Sequence, residues 1–301
     1  MDGAKLVEAA ALAAAGQQYP AGALYVVATP IGNLADITLR ALHVLAIVDA
    51  VACEDTRHSA ALLRHFAITK PLVAVHAHNE RAAAGAVLER LARGERVAYV
   101  SDAGTPAVSD PGAELVAAAH AAGHRVVPIP GASSALAALS AAGDTAANGF
   151  VVVGFLPARG AERTRAAAAI ARSEATQVVF EAPHRIGALA ALLAAACPGR
   201  RLTVCRELTK QFEAIDTMPA DDWPAWLAAD EHRSRGEFVV ILHAAPEPER
   251  EDASSNDALL MPLLNALPLK QAVALAAEIG GAPRNALYAR ALALRGASGD
   301  A

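Results

Sequence analysis

Short apolar runs alternate with helical periodicities from about residue 22 to residue 243. Residues 24–28, 50–54, 72–76, 96–101 and 125–129 are mostly apolar and end in small or polar residues, so they read as buried strands. The helical pattern after the first strand starts near Asp36, read as its N-cap, and carries Ile37, Leu39, Leu42 and Leu45. Asn79 reads as the cap of the helix after the third strand. This alternation predicts a mostly parallel sheet covered by helices. The pattern breaks at 141–149, a small and polar stretch that reads as a domain junction.

A second alternation follows, with strands at 150–155, 177–181, 201–206, 212–217 and 237–243 and helices at 162–173 and 185–196. The expected fold class is therefore α/β, with two consecutive α/β domains over 22–143 and 144–245. Residues 1–21 read as a flexible extension and 246–256 as a polar linker. Short helices near 257–265, 268–279 and 283–295 complete the chain, with Pro268 and Pro283 at helix starts and Gly280-Gly281 at a turn. Their spacing resembles a helix-turn-helix, and equally fits a helical hairpin packed on the body or on a second subunit.

Composition narrows the function. The 301 residues carry a net charge of -5, so the chain is not a basic nucleic-acid coat and any RNA contact must be local. Mean hydropathy is +0.30, yet no run approaches the roughly 18 apolar residues of a membrane span. The first residues lack a basic segment and a leucine-rich core, so no signal peptide and a cytoplasmic location are expected. Cys53, Cys197 and Cys205 form no C-x-x-C pair and read as small buried hydrophobes. His76-Ala77-His78 has no further ligand at helical spacing, and no metal site is expected there.

In open α/β sheets, ligands sit beyond the carboxyl ends of the strands. Those ends are 29–34, 54–58, 101–112 and 130–134 in the first half, and 181–185, 206–213 and 236–238 in the second. All are rich in Gly, Pro, Ser or charge, which lets a ligand approach the backbone and use its amides. The G-x-G-x-x-G fingerprint, the P-loop and G-x-S-x-G are absent.

Several of these stretches together resemble one family. They are Leu24-Tyr25-Val26-Val27-Ala28-Thr29-Pro30-Ile31-Gly32-Asn33-Leu34, Cys53-Glu54-Asp55-Thr56-Arg57, Ser101-Asp102-Ala103-Gly104-Thr105-Pro106-Ala107-Val108-Ser109-Asp110-Pro111-Gly112, Pro128-Ile129-Pro130-Gly131-Ala132-Ser133-Ser134, Phe180-Glu181-Ala182-Pro183-His184-Arg185, Arg206-Glu207-Leu208-Thr209-Lys210 and Gly236-Glu237-Phe238. In this order they resemble the tetrapyrrole (corrin/porphyrin) methylase family, and within it the branch acting on ribosomal RNA. The resemblance covers about residues 22–243 and extends weakly into the C-terminal helices. It implies two α/β domains with an S-adenosylmethionine cleft between them, and a homodimer. It also implies 2′-O-methylation of a cytidine ribose in the decoding region of 16S RNA in the small ribosomal subunit.

By that resemblance Pro30, Gly32, Asp102, Gly104, Thr105, Val108, Ser133, Ser134, Ala182, Gly236 and Phe238 should line the cofactor pocket. Pro30-Ile31-Gly32 stands where tetrapyrrole methylases carry a Gly-Pro-Gly-like loop. Gly104-Thr105-Pro106 stands where they carry Gly-Asp-Pro, and loss of that Asp is typical of the RNA branch.

A sulfonium methyl is already electrophilic, so the protein must align the ribose hydroxyl with it and accept or relay a proton. Glu54, Asp55, Asp102, Glu181, His184, Glu207 and Lys210 are the candidates at strand ends. Lys210 assisted by Glu207 is the expected catalytic pair, and a structural salt bridge framing the cleft is the competing role. Arg57, Arg159, Arg163, Arg185, Arg206 and Arg284 are the expected RNA contacts, with Arg64, Arg165, Lys210, Arg290 and Arg295 beside them. Two other functions stay open: methylation of a small, tetrapyrrole-like molecule, and a non-catalytic module that assembles on RNA.

Overall fold

A computed structural model describes residues 2–76, 80–109, 111–245 and 254–297. The expected Asn79 cap, His78, Asp110 and residues 246–253 of the expected linker lie outside these residues. The described chain falls into two units, one ending at Ala245 and one made of the C-terminal helices.

The first unit holds two five-stranded sheets. In the first, β1 (Ala23–Val27), β2 (Ala50–Cys53), β3 (Leu72–Ala74), β4 (Val97–Val100) and β5 (Arg125–Ile129) lie in the order β3-β2-β4-β1-β5. All pairs are parallel. β2 and β4 are buried along their whole length because helices cover both faces, which is why they read as unbroken apolar runs. Tyr25, Val27, Val51 and Cys53 point to one face, while Leu24, Ala52, Val97 and Tyr99 point to the other.

Two local expectations change. The segment expected to be a flexible extension forms α1 (Gly3–Ala14), capped by Asp2, with Ala10 and Ala14 buried. Leu6, Val7 and Tyr19 pack on the same core, so alanine-rich sequence here provides a close-packed face rather than a loose tail. Asp36 is not the cap of α2 (Leu39–Ile47): it ends a 3₁₀ turn, and Thr38 Oγ1 accepts the Ala41 N–H at 3.1 Å. Ile37 is extended between the two, which excludes it from the helix.

The second sheet has the order β6-β7-β10-β8-β9. Its strands are β6 (Phe150–Phe155), β7 (Thr176–Glu181), β8 (Arg201–Arg206), β9 (Ala214–Pro219) and β10 (Phe238–Leu242). β6 and β7 are parallel, and the remaining pairs are antiparallel. One face packs Val179, Leu202, Val204 and Val240 against Ile186, Leu189, Leu193 and Trp223. The other face is covered by α6 (Ser134–Ala142), through Ala135, Ala138 and Ala142 against Val178, Val239 and Ile241. A division at 143/144 would leave that face bare. α6 follows a strand of the first sheet and completes the core of the second, so the two halves share one helix.

A buried polar chain fixes the junction after α6. Asp144 Oδ2 accepts from Thr176 Oγ1 at 2.6 Å and from the Ala244 N–H at 2.7 Å. Thr203 Oγ1 contacts His243 Nε2 and Thr217 Oγ1, each at 2.7 Å. Burial pushes the His243 pKa down, and the nearby Asp144 carboxylate only partly opposes it. A lowered folded-state pKa means the unfolded chain binds the proton more readily. Thermal stability should thus be fully present above the ordinary histidine value of about 6.5 and decline as pH falls below it. Melting curves of wild type and His243→Gln between pH 7.5 and 5 check this. The variant should show a shallower decline, and an identical slope would remove His243 as its source.

The second unit comprises α10 (Ser254–Ala266), α11 (Leu269–Gly280) and α12 (Arg284–Ala297) around Leu260, Val273, Ala276, Leu287 and Ala291. No helix among the described residues is long and apolar enough to cross a membrane.

Candidate active site

The loops after β1, β2, β4, β5, β7 and β8 meet at one edge of the first unit. β10 runs antiparallel to β7 and β8, so it is its amino end, Gly236 to Phe238, that joins them, and not a carboxyl end. The loops are tied to one another. Thr29 and Gly104 exchange two backbone hydrogen bonds, of 2.9 and 3.1 Å. Thr105 Oγ1 donates to the Ala132 carbonyl at 3.0 Å, and the Asp55 N–H donates to Asp102 Oδ1 at 3.1 Å. Ser133 caps α6, whose first turn faces the space between the loops. Gly104 has φ +79°, a conformation that L side chains rarely adopt, and a Cβ there would lie 3.3 Å from Ile31 Cγ2.

These loops enclose a cavity of about 520 Å³. Asp102, Gly104, Thr105, Val108, Ser133, Ser134, Ala182 and Phe238 line it, as the family resemblance implies for a cofactor pocket. Pro30 and Gly32 instead border a neighbouring pocket of about 250 Å³ with Asp102 and Lys210. Gly236 borders a third pocket. The first cavity wall also holds Glu54, expected only as a proton acceptor, and Phe180 and Glu237, which lie in the family-bearing stretches without an assigned role; Phe155 is the one wall residue among these that the sequence did not single out. The Phe155 and Phe180 rings stand 5.6 Å apart, and Phe155 is 60% exposed. An apolar residue exposed at a strand end is a weak signal until a cavity is seen beside it.

Lys210, Glu207 and Glu237 form a charged cluster where the pockets meet. Lys210 Nζ donates to Glu207 Oε1 at 2.9 Å and to Glu237 Oε2 at 3.1 Å. Glu207 Oε1 also accepts the Glu237 N–H at 2.8 Å. Burial works against charge on Lys210, but the two carboxylates outweigh it and the Lys210 pKa rises. Burial likewise works against charge on Glu207, and the Glu237 amide and Lys210 outweigh it, so the Glu207 pKa falls. A general base of the lysine type needs the opposite shift. The geometry, Lys210 held between two carboxylates, fits the competing role of a salt bridge framing the cleft better than that of a proton acceptor.

The backbone around this cluster is strained. Glu207 and Thr209 have φ of +53° and +67°. Each non-glycine residue in that region costs on the order of 1 kcal/mol or more, and such strain concentrates at functional sites. Gly236 allows the cluster to close, because a Cβ on it would lie 2.5 Å from Glu207 Cγ. Gly32 lies equally close to the Lys210 stem, where a Cβ would be 2.7 Å from Cγ.

Two expected RNA contacts are corrected. Arg163 Nη2 donates to Glu181 Oε2 at 2.9 Å, and Arg185 Nε lies 2.9 Å from Glu181 Oε1. The Glu181 side chain is fully buried, so both guanidiniums are turned inward to neutralise it. Arg290 is likewise occupied, by Asp257 at 2.6 Å. Arg57 is exposed at the start of α3 (Thr56–His65) and pairs with Asp55, whose carboxyl it holds well below the usual range. Arg64, Arg159, Arg165, Arg284 and Arg295 are exposed, and Arg206 is half-buried. All three cysteines are buried and free, and burial pushes Cys205 up to about 12, so it is an inert thiol.

The cavity at a shared edge of two α/β sheets defines a class. The family model for tetrapyrrole (corrin/porphyrin) methylases matches residues 23–223, and the chain belongs to that family. The model of the "RsmI C-terminal HTH domain" matches residues 250–295. Within the family the chain is similar to ribosomal RNA small subunit methyltransferase I of Pseudomonas aeruginosa, at 49% identity over 92% of this chain and 99% of the relative. It is 47% identical to the protein of that name from Escherichia coli O157:H7, over 91% of this chain and 96% of the relative. Among solved structures, uroporphyrin-III C-methyltransferase from Thermus thermophilus matches with a TM-score of 0.52 and 25% identity, over 73% of this chain and 94% of that one.

Proposed function

We propose that the chain transfers a methyl group from S-adenosylmethionine to the 2′-hydroxyl of a cytidine ribose in the decoding region of 16S ribosomal RNA. One observation carries the reading: relatives bearing that name share close to half of the residues across about nine-tenths of the chain. The 520 Å³ cavity has the size of a small-molecule site. Its lining also suits the cofactor, with small residues that expose backbone amides, an aromatic pair, and the carboxylates of Glu54, Asp102 and Glu237.

When bound, the cofactor supplies an activated methyl on a sulfonium. The chain's own residues then have three tasks. Gly104, Thr105, Ser133, Ser134, Ala182 and Phe238 hold the cofactor. Lys210, fixed by Glu207 and Glu237, orients the incoming ribose or its phosphate from the neighbouring pocket. The hydroxyl proton passes to a carboxylate at the mouth, where Glu54, Asp102 and Glu237 stand, rather than to the charged lysine. RNA reaches the site along Arg57, Arg159 and Arg206, and Arg284 adds a contact from the C-terminal helices. The active form is a homodimer in the cytoplasm, and light scattering at micromolar concentration tests the dimer.

Residues 257–301 carry a charge balance of +1, against -6 for the rest of the chain. A chain ending at residue 245 should keep its cofactor affinity and lose most methyl transfer to small ribosomal subunits, with the full chain's advantage shrinking as salt rises. Mass spectrometry of subunit RNA treated with both forms reads the outcome. Equal methylation at every salt concentration would make the C-terminal helices dispensable, and no methylated cytidine with the full chain would overturn the reading itself.

A further inference from the structure

A pocket of about 540 Å³ lies on the far side of the Glu207–Lys210 pair, lined by Arg206, Glu207, Phe212, His232, Arg235 and Gly236. It is separate from the cofactor cavity, with which it shares none of its lining residues. Its wall combines two guanidiniums, an imidazole and a phenyl ring. The Arg206 guanidinium makes no hydrogen bond or close ion pair with a described side chain, and its charge acts at longer range on neighbouring Glu207, although the residue is half-buried. Phe212 is 68% exposed, more than any other phenylalanine of the chain.

The loop that carries Phe212 is held rigidly. The Lys210 N–H donates to the Glu207 carbonyl at 3.0 Å, and the Glu213 N–H to the Lys210 carbonyl at 3.1 Å. Glu213 Oε2 accepts the Thr209 N–H at 2.6 Å. A ring displayed on a closed loop loses little freedom on binding, which favours contact with a flat partner. Arginines beside an exposed aromatic ring match the two parts of a nucleotide, a phosphate and a base face.

We propose that this pocket is a second RNA subsite, seating a nucleotide beside the methylated one, with its base stacked on Phe212 and its phosphate on Arg206 and Arg235. The inference rests on the methyl-transfer reading above and adds the residues that position the substrate strand. Glu207 lines the subsite and at the same time grips Lys210, so a nucleotide seated there lies directly beside the reacting cluster. Arg235 is now paired with Glu231 at 3.1 Å on the surface, a contact weak enough to be exchanged for phosphate.

The test uses the full chain with Phe212→Ala, Phe212→Trp and the double variant Arg206→Gln/Arg235→Gln. Two measurements are made: methyl transfer to small ribosomal subunits, and binding of a short single-stranded RNA by fluorescence anisotropy. Phe212→Ala should raise KM and weaken RNA binding by about tenfold, the scale of one lost base stack, with cofactor affinity unchanged. Phe212→Trp should restore both. The double variant should flatten the dependence of log K on log salt by about two phosphate contacts, whereas Phe212→Ala should leave that slope alone. Wild-type KM and RNA affinity in Phe212→Ala and in the double variant would overturn the subsite while leaving methyl transfer standing. Weakened RNA binding in an enzyme that methylates no subunit would retain the subsite and overturn the reaction. Binding of a tetrapyrrole carboxylate that is lost in the double variant, with no RNA bound by wild type, would overturn both.

Discussion

Replacing Gly104 by leucine is expected to abolish binding of S-adenosylmethionine while leaving the chain folded. Gly104 sits at φ +79°, so any side chain there is strained whatever space surrounds it. Its backbone N–H and carbonyl are both spent on Thr29, which fixes the loop at the cavity wall. A Cβ would already press on Ile31 Cγ2 at 3.3 Å, and the rest of a leucine must find room among loops 29–34, 101–109 and 130–134. Those loops line the pockets rather than the cores, so the damage falls on the ligand. Calorimetry should show at least a hundredfold loss of affinity, with a melting temperature within a few degrees of wild type. Unchanged affinity would place the cofactor elsewhere.

The second large effect is on stability. Glu181 is a fully buried carboxylate shared by Arg163 and Arg185, which are themselves 10% and 22% exposed. Removing one member of a buried ionic cluster leaves charge without a partner, at a cost of about 3–5 kcal/mol. Glu181→Ala should therefore lower the melting temperature by about 10 °C in a unit of this size. Replacing all three residues together by apolar ones of similar volume should cost much less, since no charge is then stranded. A melting temperature for Glu181→Ala within 2 °C of wild type would show that the cluster contributes little. Glu181 also borders the 520 Å³ cavity, so the cluster braces the wall at Ala182 and Pro183.

What was legible in the sequence follows from distance along the chain. Strands β5, β6 and β8 lie where their apolar runs put them, because each run is bounded by its own turn residues. The small-residue loops converge because a parallel sheet sends its strand ends to one edge. Charge was harder to read. The run from Arg159 to Arg172 resembles a solvated basic face until Glu181, a strand later, draws Arg163 inside. Lys210 has a carboxylate partner three residues away in Glu207, but its second one, Glu237, stands at another strand end and is invisible in the local spacing. Phe212 reads as the first residue of a strand that in fact begins at Ala214, and His232 and Arg235 carry no pattern in one dimension. Only the antiparallel return of β10 brings the last two beside the loop after β8.

The strand order of the first sheet sets a schedule for synthesis. β1 is the first strand to leave the ribosome, yet it is seated between β4 and β5 and has no other neighbours in the sheet. Its register with β5 pairs Ala23 with Arg125 and Val27 with Ile129, so about a hundred residues must be added before that side can close. At ~5–20 residues per second the strand waits roughly 5–20 s with its edges open. Ala-Leu-Tyr-Val-Val is a short, uncharged, β-prone segment, the kind that pairs with other chains when left exposed. The strand order thus leaves an aggregation-prone edge unpaired until β5 emerges.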